Sequence, residues 1–244
     1  DRLVAIEINP RTSRSSALAS KATGFPIARI STKLAAGLTM NEIPYWKEGT
    51  LEKYAPSGDY VVIKFARWAF EKFPKAKDIL GTQMKAVGEV MSIAKNFKEA
   101  FQKSIRSLEI GRYGLGWAKD FNALPLEKLK ERLAYPSSER VFLMYEALRK
   151  GMPVDELYNM THIGKWFIQQ MKELVDFEEK LLKVSWDKLA DNTLKEAKEL
   201  GFADKYLAKL FNVKESEVRK KRLAIGKKVR FEPVPVSLVK NAAY

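Results

Sequence analysis

The sequence predicts an α+β half followed by an all-α half, and three observations carry that prediction. Val4, Ile6 and Ile8 alternate with Ala5, Glu7 and Asn9, the period-2 pattern of a β-strand. Two further β-rich runs follow, Asp59 to Phe65, bounded by Gly58 and Pro56, and Gly88 to Ile93. From about Leu124 onward the apolar residues recur at three- and four-residue steps, the period of helices packed on one face.

In chain order, the opening strand stops at Pro10, and Ser15 to Thr23 reads as a helix of small residues ending at Gly24. Pro26 opens a second helix, with Gly37 just past its end. Thr39-Met40-Asn41-Glu42 is a capping box for one more short turn. Pro44 to Gly58 mixes turn residues and polarity and reads as a surface loop. After the two later strands, Asn96 caps a helix carrying Ala100, Ile105 and Leu108, and Gly111 ends it. Gly111-Arg112-Tyr113-Gly114-Leu115-Gly116 has the glycines of a phosphate loop at the wrong spacing, after a helix rather than a strand; a hinge between domains is the better reading.

In the second half, Pro125 opens a helix with Leu126, Leu129 and Leu133 in register, and Ser138 caps one with Val141, Phe142, Tyr145 and Leu148. Thr161 is read as the cap of a long helix bearing Ile163, Phe167, Met171, Leu174 and Phe177. Trp186 to Leu200 is the next, and Ala203 to Phe211 and Glu215 to Ile225 are two short ones. Aromatic and Met residues at these spacings are core rather than a cofactor box. His162 reads as a cap or packing group, because no second histidine exists to build a site.

Composition bounds the chemistry. The 244 residues are 46% hydrophobic and 30% charged, a globular balance with room for one large or two modest cores. Zero cysteines exclude disulfides, thiolate zinc and a cysteine nucleophile, and one histidine excludes a His-rich metal centre. Without an apolar run long enough to span a bilayer or a signal-like start, the expectation is a cytoplasmic protein with no membrane role. The net charge of +14 divides evenly between residues 1–111 and 112–244, and residues 218–244 hold 8 basic and 1 acidic residue. Such a tail reads as a solvated surface or a contact with an acidic neighbouring domain.

The chemistry-bearing stretch is the first. On a strand, Glu7 and Asn9 share a face while Ile6 and Ile8 pack the other. Two hard oxygen donors a strand step apart suit Mg²⁺ or Mn²⁺; the same pair also fits the solvated face of a half-buried sheet. Arg11 and Arg14, interleaved with Ser13, Ser15 and Ser16 where a helix begins, favour bound oxyanions. Metal ligands beside phosphate ligands suggest nucleotide chemistry.

The run Glu7-Ile8-Asn9-Pro10-Arg11-Thr12-Ser13-Arg14-Ser15-Ser16-Ala17-Leu18-Ala19-Ser20-Lys21-Ala22-Thr23-Gly24 resembles a signature of the carbamoyl phosphate synthetase large-subunit family, at the end of its first ATP-grasp domain. Asp59 to Lys64, Phe70 to Phe73 and Gln83 to Met91 extend the resemblance. So do Glu139 to Phe142, Glu146 to Gly151, Thr161 to Phe167 and Ala197 to Asp204, which are similar to the family's helical oligomerisation domain. The resemblance covers about residues 1–230 and fails in the tail, where Val234 to Lys240 replaces the family's pattern. It implies a partial ATP-grasp sheet with helices over 1–111, the C-terminal part of the carboxyphosphate-forming domain, then the oligomerisation domain over 112–244. It implies ATP with Mg²⁺ or Mn²⁺ as cofactors, Glu7 and Asn9 holding the metal ions, and Arg11 and Arg14 contacting phosphate or carboxyphosphate. Glu89 matches a glutamate lining the tunnel that carries carbamate between the family's active sites. A small glutaminase subunit is the implied partner, with self-association through 112–244, in arginine and pyrimidine synthesis. The adenine pocket and the first metal ligand would lie upstream of Asp1, so the chain is expected to be a fragment, inactive alone.

A rival reading takes Phe202 to Arg222 as a helix-turn-helix, with Arg219, Lys220, Lys221 and Arg222 facing a DNA groove. The family match explains the same helices, which weighs against a nucleic-acid partner. A third reading is a structural scaffold, in which Glu7 and Asn9 serve no site.

Overall fold

A computed structural model describes residues 3, 5, 8–45, 49–53, 58–117 and 121–230. The described residues fall into two compact units, one holding those up to Tyr60 together with Arg230 and the other Val61–Val229. The expected division at 111/112 falls inside the second.

Of the expected opening strand, Val4, Ile6 and Glu7 lie outside the described residues. Leu3, Ala5, Ile8 and Asn9 have no regular structure, and Ile8, expected on a packed face, is 87% exposed. A strand exists only through the ladder it shares with a neighbour, and none of these four residues pairs with one. The first helix, α1, spans Arg14–Thr23; Ser13 caps it and Gly24 closes it at φ 70°. α2, Ile27–Ala35, follows Pro26. At Thr39 the Glu42 carboxylate accepts the backbone N–H at 2.8 Å, the reach-back half of a capping box. No helix follows, because the chain turns at once into β1, Pro44–Tyr45, paired with β2, Gly49–Thr50. This small hairpin and a 3-10 turn at Leu51–Lys53 occupy part of the stretch expected to be loop. Ile30, Ile43 and Leu51 close the unit's small core against Phe25.

The larger unit opens with an antiparallel pair, β3 (Val61–Arg67) and β4 (Gly88–Ala94), in register Phe65↔Val90 and Ala66↔Glu89. Ile63, Phe65 and Val90 pack against the main core, and α3, Phe97–Ser107, is capped by Asn96, whose side chain accepts the Glu99 N–H at 2.9 Å. Ser92 in β4 donates to the Ala100 carbonyl at 2.6 Å, fastening strand to helix. Seven more helices complete the described unit: α4 Leu126–Leu133, α5 Arg140–Arg149, α6 Val154–Thr161, α7 Lys165–Leu182, α8 Asp191–Glu199, α9 Asp204–Leu210 and α10 Glu215–Ala224. Leu129, Leu143, Leu174, Leu181 and Leu207 are fully buried in one contiguous core that also takes Phe101 and Ile105 from α3.

Several expected boundaries move. Thr161 ends α6 rather than capping α7; its hydroxyl donates to the Leu157 carbonyl at 2.7 Å, and His162 is the left-handed residue that closes the helix. Ser138 does not cap α5. Its hydroxyl and N–H both donate to Asp78, at 2.5 and 2.9 Å, which ties the β3–β4 connection to the helices. Trp186 begins a 3-10 turn, and α8 starts only at Asp191. The glycine-rich connector is no open hinge: Gly114, Leu115 and Gly116 are all buried. A Cβ on Gly114 would lie 2.8 Å from the Tyr206 ring, and one on Gly116 would overlap the Tyr206 hydroxyl and the Arg149 guanidinium. Across the core, α3 reaches the α8–α9 turn three times. Asn96 donates to the Glu199 carbonyl at 3.1 Å, Gln102 to Leu200 at 3.3 Å and Arg106 to Gly201 at 2.6 Å.

Candidate functional site

The candidate site centres on the start of α1. Ser13 and Ser16 form a reciprocal cap: the Ser16 N–H donates to the Ser13 hydroxyl at 3.3 Å and the Ser13 N–H to the Ser16 hydroxyl at 3.2 Å. The first turn holds no acidic residue, and Arg14 occupies its first position. A cation there works against the helix dipole, whose N-terminal end is already positive. Arg11, exposed, donates from Nη1 to the Thr12 carbonyl at 3.2 Å. Asn9, Arg11 and Arg14 therefore lie within six residues, all exposed, at the start of α1. Exposed guanidinium groups at a helix start favour a bound oxyanion such as phosphate.

Glu7, expected to share the metal with Asn9, lies outside the described residues, as does the divergent tail from Phe231. Among the described residues no group of three or more His, Cys, Asp or Glu could hold a metal ion. Asn9 offers one amide oxygen, whereas Mg²⁺ asks for six oxygens with some left to water and phosphate. The described donors alone do not make a metal centre.

Glu89 sits in β4, opposite Ala66 and half-buried. Since Phe65 and Val90 face the core, alternation puts Glu89 on the other face of the hairpin.

The basic run of the proposed recognition helix is split by the fold. Arg219 and Lys220 are exposed, but Arg222 is buried and paired with Asp204 at 2.9 Å. Lys221 turns inward to the Leu189 carbonyl at 2.6 Å. Half of the cations expected in a DNA groove are thus spent on holding α10 in place.

A charged cluster that sequence reading did not find lies in the core. Glu178 on α7, 2% exposed, accepts from Tyr145 at 2.7 Å, Tyr206 at 2.6 Å and Arg149 at 2.7 Å. Burial, then the Glu178 charge, pushes both tyrosines well above the ordinary phenol value. Burial opposes the Arg149 charge, but Glu178 and its neighbours more than offset this and raise its pKa. Burial also raises Glu146, opposed by Arg149 and Lys150. The partners lie 28 to 33 residues from Glu178, so no local pattern announces them. Their work is to lock α5, α7 and α9 around the connector.

Comparison with known proteins gives two family matches: the carbamoyl-phosphate synthetase large chain oligomerisation domain over residues 89–226, and the carbamoyl-phosphate synthase L chain ATP binding domain over 1–43. Among individual relatives, the chain is 53% identical over 239 residues to the carbamoyl phosphate synthase large chain of Archaeoglobus fulgidus, covering 96% of this chain and 22% of that one. It is 46% identical to the arginine-specific chloroplastic large chain of Arabidopsis thaliana, covering 91% and 19%. It is 42% identical to the large chain N-terminal section of Methanopyrus kandleri, covering 98% and 44%. The chain thus spans about a fifth of its full-length relatives and less than half of the N-terminal section. The oligomerisation match alone covers more than half of these residues, and the chain belongs to the carbamoyl-phosphate synthetase large chain family.

Proposed function

We propose that this chain works as part of a carbamoyl phosphate synthetase large chain. In that setting ATP activates bicarbonate to carboxyphosphate, ammonia displaces phosphate to give carbamate, and a second phosphorylation yields carbamoyl phosphate for arginine and pyrimidine synthesis. Ammonia would come from a small glutaminase subunit. The observation that carries the reading is the 53% identity to a named large chain across 96% of these residues.

Within it, Arg11 and Arg14 bind phosphate or carboxyphosphate at the start of α1. Glu7 and Asn9 contribute oxygens to Mg²⁺ or Mn²⁺, with the other ligands supplied from outside these residues. Glu89 lines the carbamate tunnel. Residues 1–111 end the carboxyphosphate-forming ATP-grasp domain and 112–244 form the oligomerisation domain, through which the chain self-associates in the cytoplasm. The exposed, cationic, acid-free start of α1 supports the anion-binding part.

The test is an exchange. The matching stretch of the Archaeoglobus fulgidus large chain is replaced by this chain, and bicarbonate-dependent ATP hydrolysis is measured together with carbamoyl phosphate. Activity within about tenfold of the parent is expected, since most core substitutions between close relatives are volume-conserving. A hybrid that folds and assembles but makes no carboxyphosphate would overturn the reading.

A further inference from the structure

A second feature goes beyond that reading and uses none of the α1 residues. The turn that joins α8 to α9, residues 199–204, is bonded from two sides. On one side stands α3 with its cap. Asn96, Gln102 and Arg106 donate to the successive carbonyls of Glu199, Leu200 and Gly201, at 3.1, 3.3 and 2.6 Å. The last carbonyls of a helix have no partner within it, and here another helix supplies the donors. The turn also lies against the α3 backbone itself: a Cβ on Gly201 would stand 2.9 Å from the Glu99 Cα.

On the other side stands the segment that leaves α10, residues 225–229. The Lys227 ammonium donates to the Glu199 carboxylate at 2.7 Å. Arg222, 6% exposed, donates from Nε to both oxygens of Asp204, at 2.9 and 3.2 Å, and from Nη1 to the Lys227 carbonyl at 2.6 Å. Lys198 closes the turn from within, donating to the Phe202 carbonyl at 2.5 Å and to Asp204 at 2.7 Å. Burial opposes the Asp204 charge, but Lys198 and Arg222 more than offset this and hold its pKa below the usual carboxylate range. Glu199 is where the two sides meet, its carbonyl bonded to Asn96 and its carboxylate to Lys227. Behind α3 lies the hairpin, tied to it by Ser92 on the Ala100 carbonyl and by Lys103 on the Ile93 carbonyl, at 2.6 and 3.1 Å. One chain of bonds thus runs from the hairpin through α3 and the turn to the end of α10.

We propose that the α8–α9 turn is a coupling joint, which makes the fastening of residues 225–229 depend on the position of α3. In the fastened state Lys227 and Arg222 hold the bonds described above. In the released state the segment swings free of the turn while α10 stays folded, a local opening of the kind that the least buried parts of a fold undergo. Displacement of the hairpin and α3 shifts the balance towards release.

Amide hydrogen exchange on the full chain tests this. The Gly226 and Lys227 amides donate to the Leu223 and Arg222 carbonyls at 3.0 and 3.1 Å, so their exchange reports opening of the segment. Arg106→Met removes one α3 donor. Asn96→Asp removes another while keeping the oxygen that caps α3, and lies on the surface, so it serves if Arg106→Met fails to fold. Each folded variant should speed exchange at Gly226 and Lys227 by at least about threefold more than at Leu157 in α6, which reports general loss of stability. Lys227→Gln, which unfastens the segment directly, should do the same. In the double variant of Lys227→Gln with an α3 change, the effects should combine to less than their product, because both act on one fastened state. A smaller change at Gly226 and Lys227 in the α3 variants, or one matched at Leu157, overturns the proposal. So do effects that multiply in full in the double variant.

Discussion

Arg14 is placed where a helix designed only for stability would not put it. Replacing it by Ala removes a cation from the positive end of α1 and improves helix propensity, so stability should rise by a few tenths of a kcal/mol. Catalysis should move the other way. In the exchanged large chain, Arg14→Ala should lower bicarbonate-dependent ATP hydrolysis by about a hundredfold or more, the usual cost of one transition-state phosphate contact. Glu7→Gln and Asn9→Asp should slow the same step. Unchanged rates in all three would remove the site assignment. The buried tyrosines make a different prediction, for pH. Tyr145 and Tyr206 have folded pKa values above the ordinary 10.0, so the native state keeps protons that the unfolded chain gives up. Their contribution is complete below pH 10 and is lost as pH rises through the folded values. Urea midpoints should fall steeply above about pH 10, and less steeply in Tyr206→Phe.

Among the elements, the connector between α3 and α4 was the hardest to read. Three glycines in six residues suggest freedom, and sequence alone cannot see Tyr206, Tyr145 and Arg149 arriving from two other helices to fill the space a side chain would need. Gly116→Ala should therefore cost about 3 kcal/mol or more, measured by denaturant unfolding, with Gly111→Ala milder because nothing lies near its Cβ. A similar blindness explains Ser138 and Thr161. Both look like caps by residue type, yet Asp78, 60 residues away, claims the first, and a helix of only eight residues claims the second. What did come through were signals that act within a turn or two. The Asn96 cap, Gly24 at positive φ, the β3 and β4 runs, the leucine register of α4 and the Met171, Leu174 and Phe177 register of α7 all depend on neighbours in sequence, whereas Ile163 precedes α7 and Phe167, expected in the core, is 48% exposed. For the opening stretch only Leu3, Ala5, Ile8 and Asn9 are described, and none of these four pairs with a neighbouring strand.

At the scale of the molecule, the unit Val61–Val229 and the proposed 112–244 domain make separable predictions. Phe101 and Ile105 of α3 sit in the same core as the later helices. Residues 61–229 should fold and melt cooperatively, while 112–244 alone should bind hydrophobic dyes and lack a sharp transition. Self-association through 112–244 is best tested within 61–229, where the core around α3 is complete. Trp166 and Phe167 are 56% and 48% exposed and cluster with Phe97 at 5.0 and 5.6 Å. We expect this apolar patch to be the contact through which copies associate. Light scattering of 61–229 at tens of micromolar should give a dimer or larger, shifted toward monomer by Trp166→Ala. A strictly monomeric mass for 61–229 would leave the helices as a spacer.

The three hydrogen bonds from α3 to the α8–α9 turn also set a timetable. Asn96, Gln102 and Arg106 are translated 95 to 103 residues before the carbonyls they bind. At about 5–20 residues per second, α3 waits for on the order of 5–20 s after leaving the ribosome before its partners exist. During that interval the hairpin and α3 expose the apolar side that the finished core covers, which makes this the period when a chaperone has something to hold. Stalled nascent chains ending before residue 199 should be cleaved readily within α3, and chains that have fully released the α8–α9 turn should resist; equal protection at both lengths would show that α3 is secured earlier by the strands alone.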